Sequence, residues 1–222
     1  MRSFDEIFAI AADRKGGVDA LNAMLEPALS PQDFCKIGDD RILSRFAHQI
    51  FCAGFNWKVV DAKWPGHEEA FKGFDPHKVA MMDDAWFDEL LQDERIIRHG
   101  TKIRSIQENA VFITELAAEH GSAAQAIGMW PNRDYIGLLD MLKKRGARLG
   151  GATGAYALRF LGRDSFILSR DVVARLVAEG VIDKAPTSKN ALAKVQAAFN
   201  TWADQSGRGL TEISRVLAMS IG

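Results

Sequence analysis

The sequence predicts an all-α protein with short loops, on three observations. Apolar residues recur every three or four positions, as in Phe4, Ile7 and Phe8, or Ile103, Ile106, Ala110 and Ile113. Glycine, proline and small polar residues fall between these runs, where helices start and stop. No run of alternating apolar and polar residues reads as a set of strands, and no internal repeat or low-complexity tract is present.

In order, Phe4 to Ile10 predict a first helix stopped at Gly16-Gly17, and Val18 to Leu25 a second that ends before Pro27. Ser30-Pro31-Gln32-Asp33 is a helix entry or a turn. Gly38-Asp39-Asp40 opens a longer amphipathic helix carrying Ile42, Leu43, Phe46, Ile50 and Phe51, which ends near Gly54. A further helical run starts at Phe55 to Val60 and is expected to break at Trp64-Pro65-Gly66. Asp75 and Pro76 have the residue types of a cap and a first helical position. Asp83 to Gln92 and Lys102 to Ala118 follow, the second closed by Gly121, and Trp130-Pro131 interrupts the chain. Tyr135 to Lys144, Val172 to Ala178, Asn190 to Ala203 and Leu210 to Met219 complete the helices.

The most informative stretch is Leu142 to Arg175. A helix ending in Lys143, Lys144 and Arg145 stops at Gly146, turns through Gly150-Gly151-Ala152-Thr153-Gly154, and gives way to a second helix at Ala155. Closely spaced glycines permit a tight turn and leave bare amide N–H groups at the following helix start, which suits a phosphate. Eight basic residues (Lys143, Lys144, Arg145, Arg148, Arg159, Arg163, Arg170, Arg175) stand there against Asp164 and Asp171, a local net charge of +6 in a chain of net charge −1. That concentration points to a polyanion, although a solvated basic face around an ordinary interhelical turn has the same composition. Farther on, Asp171 just precedes Val172, Val173 and Leu176, so a carboxylate stands at a helix start.

At 222 residues, 47% hydrophobic and 26% charged, the chain suits one large domain or two small lobes, and disorder is not expected. His48 and Cys52 have the spacing of a metal pair but no second pair accompanies them. Two cysteines, Cys35 and Cys52, fit a reducing compartment, and no disulfide between them is expected. The N-terminus lacks the apolar run of a secretory signal and no stretch approaches the length of a membrane span, so the expected location is cytoplasmic.

Three stretches then resemble the 3-methyladenine DNA glycosylase I family of the helix-hairpin-helix glycosylase superfamily. They are Ala53-Gly54-Phe55-Asn56-Trp57; Phe74-Asp75-Pro76-His77-Lys78-Val79-Ala80 through Ile96-Ile97-Arg98-His99 and Lys102-Ile103; and Leu142-Lys143-Lys144-Arg145-Gly146 through Gly151, Thr153 and Tyr156. The likeness covers roughly residues 39 to 175. It implies one two-lobed helix-hairpin-helix domain over residues 1–222, with the hairpin element at about 138–162. The implied activity is monofunctional excision of a damaged, 3-methyladenine-like purine from double-stranded DNA by base flipping and N-glycosidic hydrolysis. A monomer with no membrane partner is expected.

Carried over by motif, Trp57 would stack on the flipped base, with Phe55, Gln49 and Thr153 beside it, and Gly151, Gly154, Lys143, Lys144 and Arg148 would hold DNA. Without the motif, Trp57 would read as a core indole. Eight residues before that Trp the family has an essential glutamate, and this chain has Gln49, which keeps hydrogen bonding and loses the charge that favours a cationic purine. The family also has a structural zinc whose C-terminal ligands align with Asp171 and Arg175. Arginine cannot ligate zinc, so neither zinc nor another cofactor is expected, and the extra C-terminal helices would do the holding. Asp171 has three readings: a group that orients water or stabilises the sugar cation, a helix cap, or a partner of Arg175. His48 and His99 invite acid–base roles but are as readily structural. Gln49 and Asp171 are thus the catalytic candidates of a glycosylase. The alternative is a non-catalytic DNA-binding module that kept the hairpin and lost the glutamate.

Overall fold

The computed structural model describes residues 1–221, and among them there are helices and no strand. The helices are α1 (Phe4–Lys15), α2 (Val18–Ala23), α3 (Pro31–Phe34), α4 (Asp39–Cys52), α5 (Trp57–Ala70), α6 (Pro76–Ala80), α7 (Asp84–Gln92), α8 (Gly100–His120), α9 (Ala123–Gly128), α10 (Tyr135–Arg145), α11 (Ala152–Phe160), α12 (Arg170–Ala178), α13 (Lys189–Ser206) and α14 (Leu210–Met219). None is long and apolar enough to cross a membrane. They form two compact units, one made of residues 1–30, 131–137 and 162–222, the other of residues 31–130 and 138–161.

Local chemistry explains most boundaries. Ser3 and Glu6 form a capping box at α1, and Gly16 ends that helix in the left-handed region. Asp75 caps α6 with Pro76 in its first turn, Asp83 caps α7, and Ser188 caps α13.

The expected break at Trp64-Pro65-Gly66 does not occur, because α5 runs through Pro65. A proline inside a helix costs about 3 kcal/mol, and here packing offsets it. The Trp64 ring stacks between His67 (4.8 Å) and Phe74 (5.4 Å), its Nε1 donates to Ser44 Oγ at 3.2 Å, and His67 Nδ1 donates to the Lys63 carbonyl at 2.9 Å. Helix α9 was not anticipated. It is too short for a visible period and is anchored instead by the Asp39 carboxylate, which accepts from the Ala123 and Ala124 amides.

The second unit is built around α4, with α5, α8, α9 and α11 packed against it. From Ile42 to Cys52 every residue of α4 except Arg45 is buried, so its C-terminal half is buried nearly all round rather than along one stripe. His48 and Gln49 are therefore polar groups in an apolar setting and need internal partners.

In the first unit α1, α13 and α14 share a core that includes Phe4, Ile7, Phe199, Trp202, Ile213 and Leu217. Its two chain ends meet in one polar network. Glu179 accepts from the Arg2 amide (2.7 Å), the Arg2 guanidinium (2.8 Å) and Arg175 Nη1 (3.1 Å), while Arg175 also donates to Ser220 Oγ and to the Ser220 carbonyl, each at 2.7 Å.

Candidate nucleic-acid interface and base site

The hairpin lies between α10 and α11. Buried Asn109 of α8 clamps its loop from below, donating from Nδ2 to the Ala147 carbonyl and accepting from the Ala147 amide, both at 2.9 Å. Arg148 follows with φ +59, and Gly151 with φ +62 and ψ −135, a region essentially closed to side-chain-bearing residues. Open space surrounds the place a Gly151 Cβ would occupy, and α11 starts with no side-chain cap. The first amides of α11 are thus left for an outside acceptor. Gly154 serves a different purpose: its Cβ would stand 2.4 Å from the Leu149 carbonyl oxygen, so the absence of a side chain lets α11 lie directly on the loop. Exposed Ala152 and half-buried Thr153 form the rim.

The basic field is narrower than residue counting implied. Arg145 is held by Glu119 (2.7 Å) and Glu115 (3.4 Å), and Lys144 by Asp140 (2.5 Å). Arg163 and Arg175 are buried in the first unit, Arg163 donating to Asn132 and the Asp164 carbonyl. Lys143, whose stem lies against Gly150, and Arg148 have no ion-pair partner among the described residues and flank the loop.

Trp57 opens α5 and is 41% exposed, so it is not the core indole that its residue type alone would suggest. Its ring meets Tyr156 (6.1 Å, 87°) and Phe160 (5.9 Å, 68°) edge-on, and these two stack on each other along α11. The hairpin and the aromatic shelf therefore share one helix. Phe160 was absent from the expected site.

Buried Lys102 holds the turn before Trp57. Its Nζ donates to the carbonyls of Ile50 (2.5 Å), Phe51 (3.4 Å) and Ala53 (2.7 Å), closing the C-terminus of α4, and it lies 5.0 Å from the Phe55 ring centre. Burial, with Arg148 nearby, pushes the Lys102 ammonium below its ordinary pKa. His99 meets the Phe55 ring edge-on at 6.0 Å and caps α8, accepting from the Lys102 amide; that is a structural duty. Phe55 is thereby held by His99 and Lys102.

Gln49 is 3% exposed, and its Nε2 lies 3.2 Å from His48 Nδ1. His48 Nε2 lies 2.7 Å from Asp61 Oδ1, and Cys52 Sγ lies 3.5 Å from His48 Nδ1. Burial lowers the His48 pKa against the pull of Asp61, and burial beside Asp61 pushes the Cys52 thiol up to about 11, so this thiol is a packed group rather than a nucleophile. Cys35 and Cys52 are free thiols. A cavity of about 450 Å³ borders His48 and Asp61, lined also by Arg45, Trp64, Glu68 and Phe160 among others.

Asp171 belongs to the first unit, in the first turn of α12. Two of its expected roles fall away. Ser169 is the cap, accepting from the Val172 amide, and Arg175 is engaged by Glu179 and Ser220 instead of Asp171. The guanidinium at 175 does not fit a zinc site: it is a buried cation with no lone pair to offer.

Residues 35–136 match the methyladenine glycosylase family model. Over that stretch the chain is similar to the methyladenine glycosylase family. Members resembling it include DNA-3-methyladenine glycosylase of Haemophilus influenzae, 40% identical over 58 residues, and DNA-3-methyladenine glycosylase 1 of Escherichia coli K12, 43% identical over 58 residues. Each alignment covers 26% of this chain and 31% of the relative, so the chain spans about a third of the length of the curated relatives it matches. Two solved structures share the helical fold of this chain. A glutamate-to-glutamine variant of 3-methyladenine DNA glycosylase I from Staphylococcus aureus superposes with a TM-score of 0.51 at 20% identity, covering 74% of this chain and 88% of that one. The Methanocaldococcus jannaschii 8-oxoguanine glycosylase/lyase, in complex with DNA containing 8-oxoguanine, gives 0.51 at 13% identity, covering 96% and 95%.

Proposed function

We propose that this chain is a monofunctional DNA glycosylase of base-excision repair that flips a damaged, 3-methyladenine-like purine from duplex DNA and hydrolyses its N-glycosidic bond. The observation that carries the reading is the sharing of α11 by two unlike devices: a bare-amide turn at Gly151 and an exposed aromatic shelf at Trp57, Tyr156 and Phe160. The turn holds a backbone phosphate, with Lys143 and Arg148 beside it; Lys144 adds an outer contact and Gly154 sets the loop's height. Stacking on Trp57 compensates the extruded base for its lost neighbours, with Gln49, Phe55 and Thr153 completing the pocket.

Hydrolysis needs stabilisation of the positive charge that grows on the sugar as the base departs. Asp171, with no cap or ion-pair duty among the described residues, is the carboxylate we assign to it, and Gln49 hydrogen-bonds the departing base. We further propose that the enzyme is a cytoplasmic monomer with no zinc or other cofactor, its chain ends tied by Arg2, Arg175, Glu179 and Ser220.

The test is base release from methylated duplex under single turnover, with binding titrated at two salt concentrations. Free base and an abasic strand without strand scission are expected. No release from a panel of damaged duplexes, with salt-sensitive binding intact, overturns the enzyme reading and leaves a DNA-binding module.

A further inference from the structure

Gln49 is a buried amide whose two ends offer opposite chemistry: Nε2 donates and Oε1 accepts. Which end faces a base therefore decides which base edge is satisfied. An adenine-type edge offers an exocyclic amino donor where a guanine-type edge offers a carbonyl acceptor. Nothing in the chemistry of glutamine itself makes that choice.

The neighbours make it. A carboxylate only accepts, so at 2.7 Å the proton between Asp61 and His48 stands on His48 Nε2. In the neutral ring Nδ1 is then a lone-pair acceptor. The Gln49 group 3.2 Å from it must donate, which places Nε2 on His48 and leaves Oε1, which has no hydrogen-bond partner among the described residues, as the free end. Cys52 also points its sulfur at Nδ1, and an S–H donor there reinforces the same tautomer. The charged and titratable groups bearing on His48 are Arg45 and Cys52 from α4 and Asp61 and His67 from α5. Trp64 closes the ring edge-on at 4.7 Å.

We infer that Asp61 and His48 are positioning residues that lock the Gln49 amide with its oxygen toward the base, making the site select purines that present an N–H donor on that edge. The selectivity half rests on the glycosylase reading; the locking half does not. In this arrangement a neutral amide retains the acceptor geometry of a carboxylate on its free side, and the histidine supplies the orientation that a symmetric carboxylate would not need.

Asp61 is suited to a test because its side chain is 63% exposed, so removing it leaves the core intact. The locking is read by ¹⁵N NMR of the imidazole nitrogens in full-length wild type, Asp61→Ala and Asp61→Asn. The Nε2–H form is expected in wild type and Asp61→Asn, where an oxygen still accepts, and a shift toward Nδ1–H in Asp61→Ala. Selectivity is read by single-turnover release of 3-methyladenine against 7-methylguanine from the same duplexes. The ratio is expected to fall about tenfold in Asp61→Ala, the effect of one misdirected hydrogen bond, with duplex affinity unchanged and Asp61→Asn restoring it. A wild-type His48 protonated on Nδ1 overturns the inference. So does a tautomer shift that leaves the release ratio unmoved. If no protein releases any base, the glycosylase reading falls with its selectivity, while the tautomer pattern by itself upholds or removes the locking.

Discussion

Replacing Gly154 by alanine separates a packing glycine from a merely helix-compatible one. In an open helical site Gly→Ala stabilises by about 0.4–1 kcal/mol, because the unfolded chain has less freedom to lose. At 154 the added Cβ would stand 2.4 Å from the Leu149 carbonyl oxygen and 3.5 Å from Leu142 Cδ1. The first contact is with main chain, which cannot rotate away, and Leu149 is itself buried. Forcing a methyl into such a place costs about 1–3 kcal/mol, and a backbone obstacle belongs in the upper half of that range. Subtracting the entropic gain leaves a net loss of about 1–2.6 kcal/mol. At about 2–4 °C per kcal/mol for a chain of this size, the melting midpoint falls by roughly 2–10 °C. Thermal denaturation followed by far-ultraviolet circular dichroism measures it. An unchanged or raised midpoint would refute the close approach of α11 to the loop, and with it the account of how the hairpin amides are presented.

The remaining predictions concern charge. Lys143→Glu should weaken duplex binding and shallow the dependence of log affinity on log salt by about one unit, whereas Arg145→Ala, whose guanidinium is already held by Glu119 and Glu115, should change that slope little; filter binding across a salt series checks both. Lys102→Met removes a buried ammonium from three carbonyls and should destabilise by about 3 kcal/mol, with a change in Trp57 fluorescence as the turn before it relaxes. Burial alone would raise the Glu179 pKa, but bonds from the Arg2 amide and guanidinium and from Arg175 outweigh it and hold the carboxyl below its ordinary value. A depressed carboxyl contributes stability that is present above its unfolded pKa and lost as pH falls through the folded one. Glu179→Ala should therefore cost about 3–5 kcal/mol at pH 7, and the penalty should shrink as urea denaturation is repeated at progressively lower pH, below the usual glutamate range.

Much of this fold could be read locally. Ser3 with Glu6, Asp75 with Pro76, and Gly151 at the start of α11 act on residues within one turn of themselves, so their meaning survives without knowledge of the rest of the chain. Pro65 was misread because what keeps α5 intact is the stacking of Trp64 on Phe74 and its bond to Ser44, twenty residues upstream. The same holds for Arg163 and Arg175, which count as surface charge in a composition and are buried through contacts thirty-one and forty-five residues away. At the candidate site, motif and backbone chemistry pointed to Trp57 and Gly151, and the structure leaves the first exposed and gives the second a positive φ. The Asn109 clamp, the Lys102 plug and the Asp61–His48–Gln49 chain were not, since each depends on which helices meet.

That redistribution of charge changes what kind of binding is expected. If every cation near the hairpin faced solvent, affinity would be dominated by counterion release and would be nearly indifferent to the base. With Arg145 and Lys144 paired to acids of this same chain, the electrostatic contribution at the loop comes chiefly from Lys143, Arg148 and the α11 amides. On the proposed glycosylase reading, a grip of that size holds one phosphate and leaves the larger part of specific affinity to stacking on Trp57 and to the Gln49 amide. Discrimination between damaged and intact duplex should therefore widen as salt rises, because the term that salt removes is the one both duplexes share.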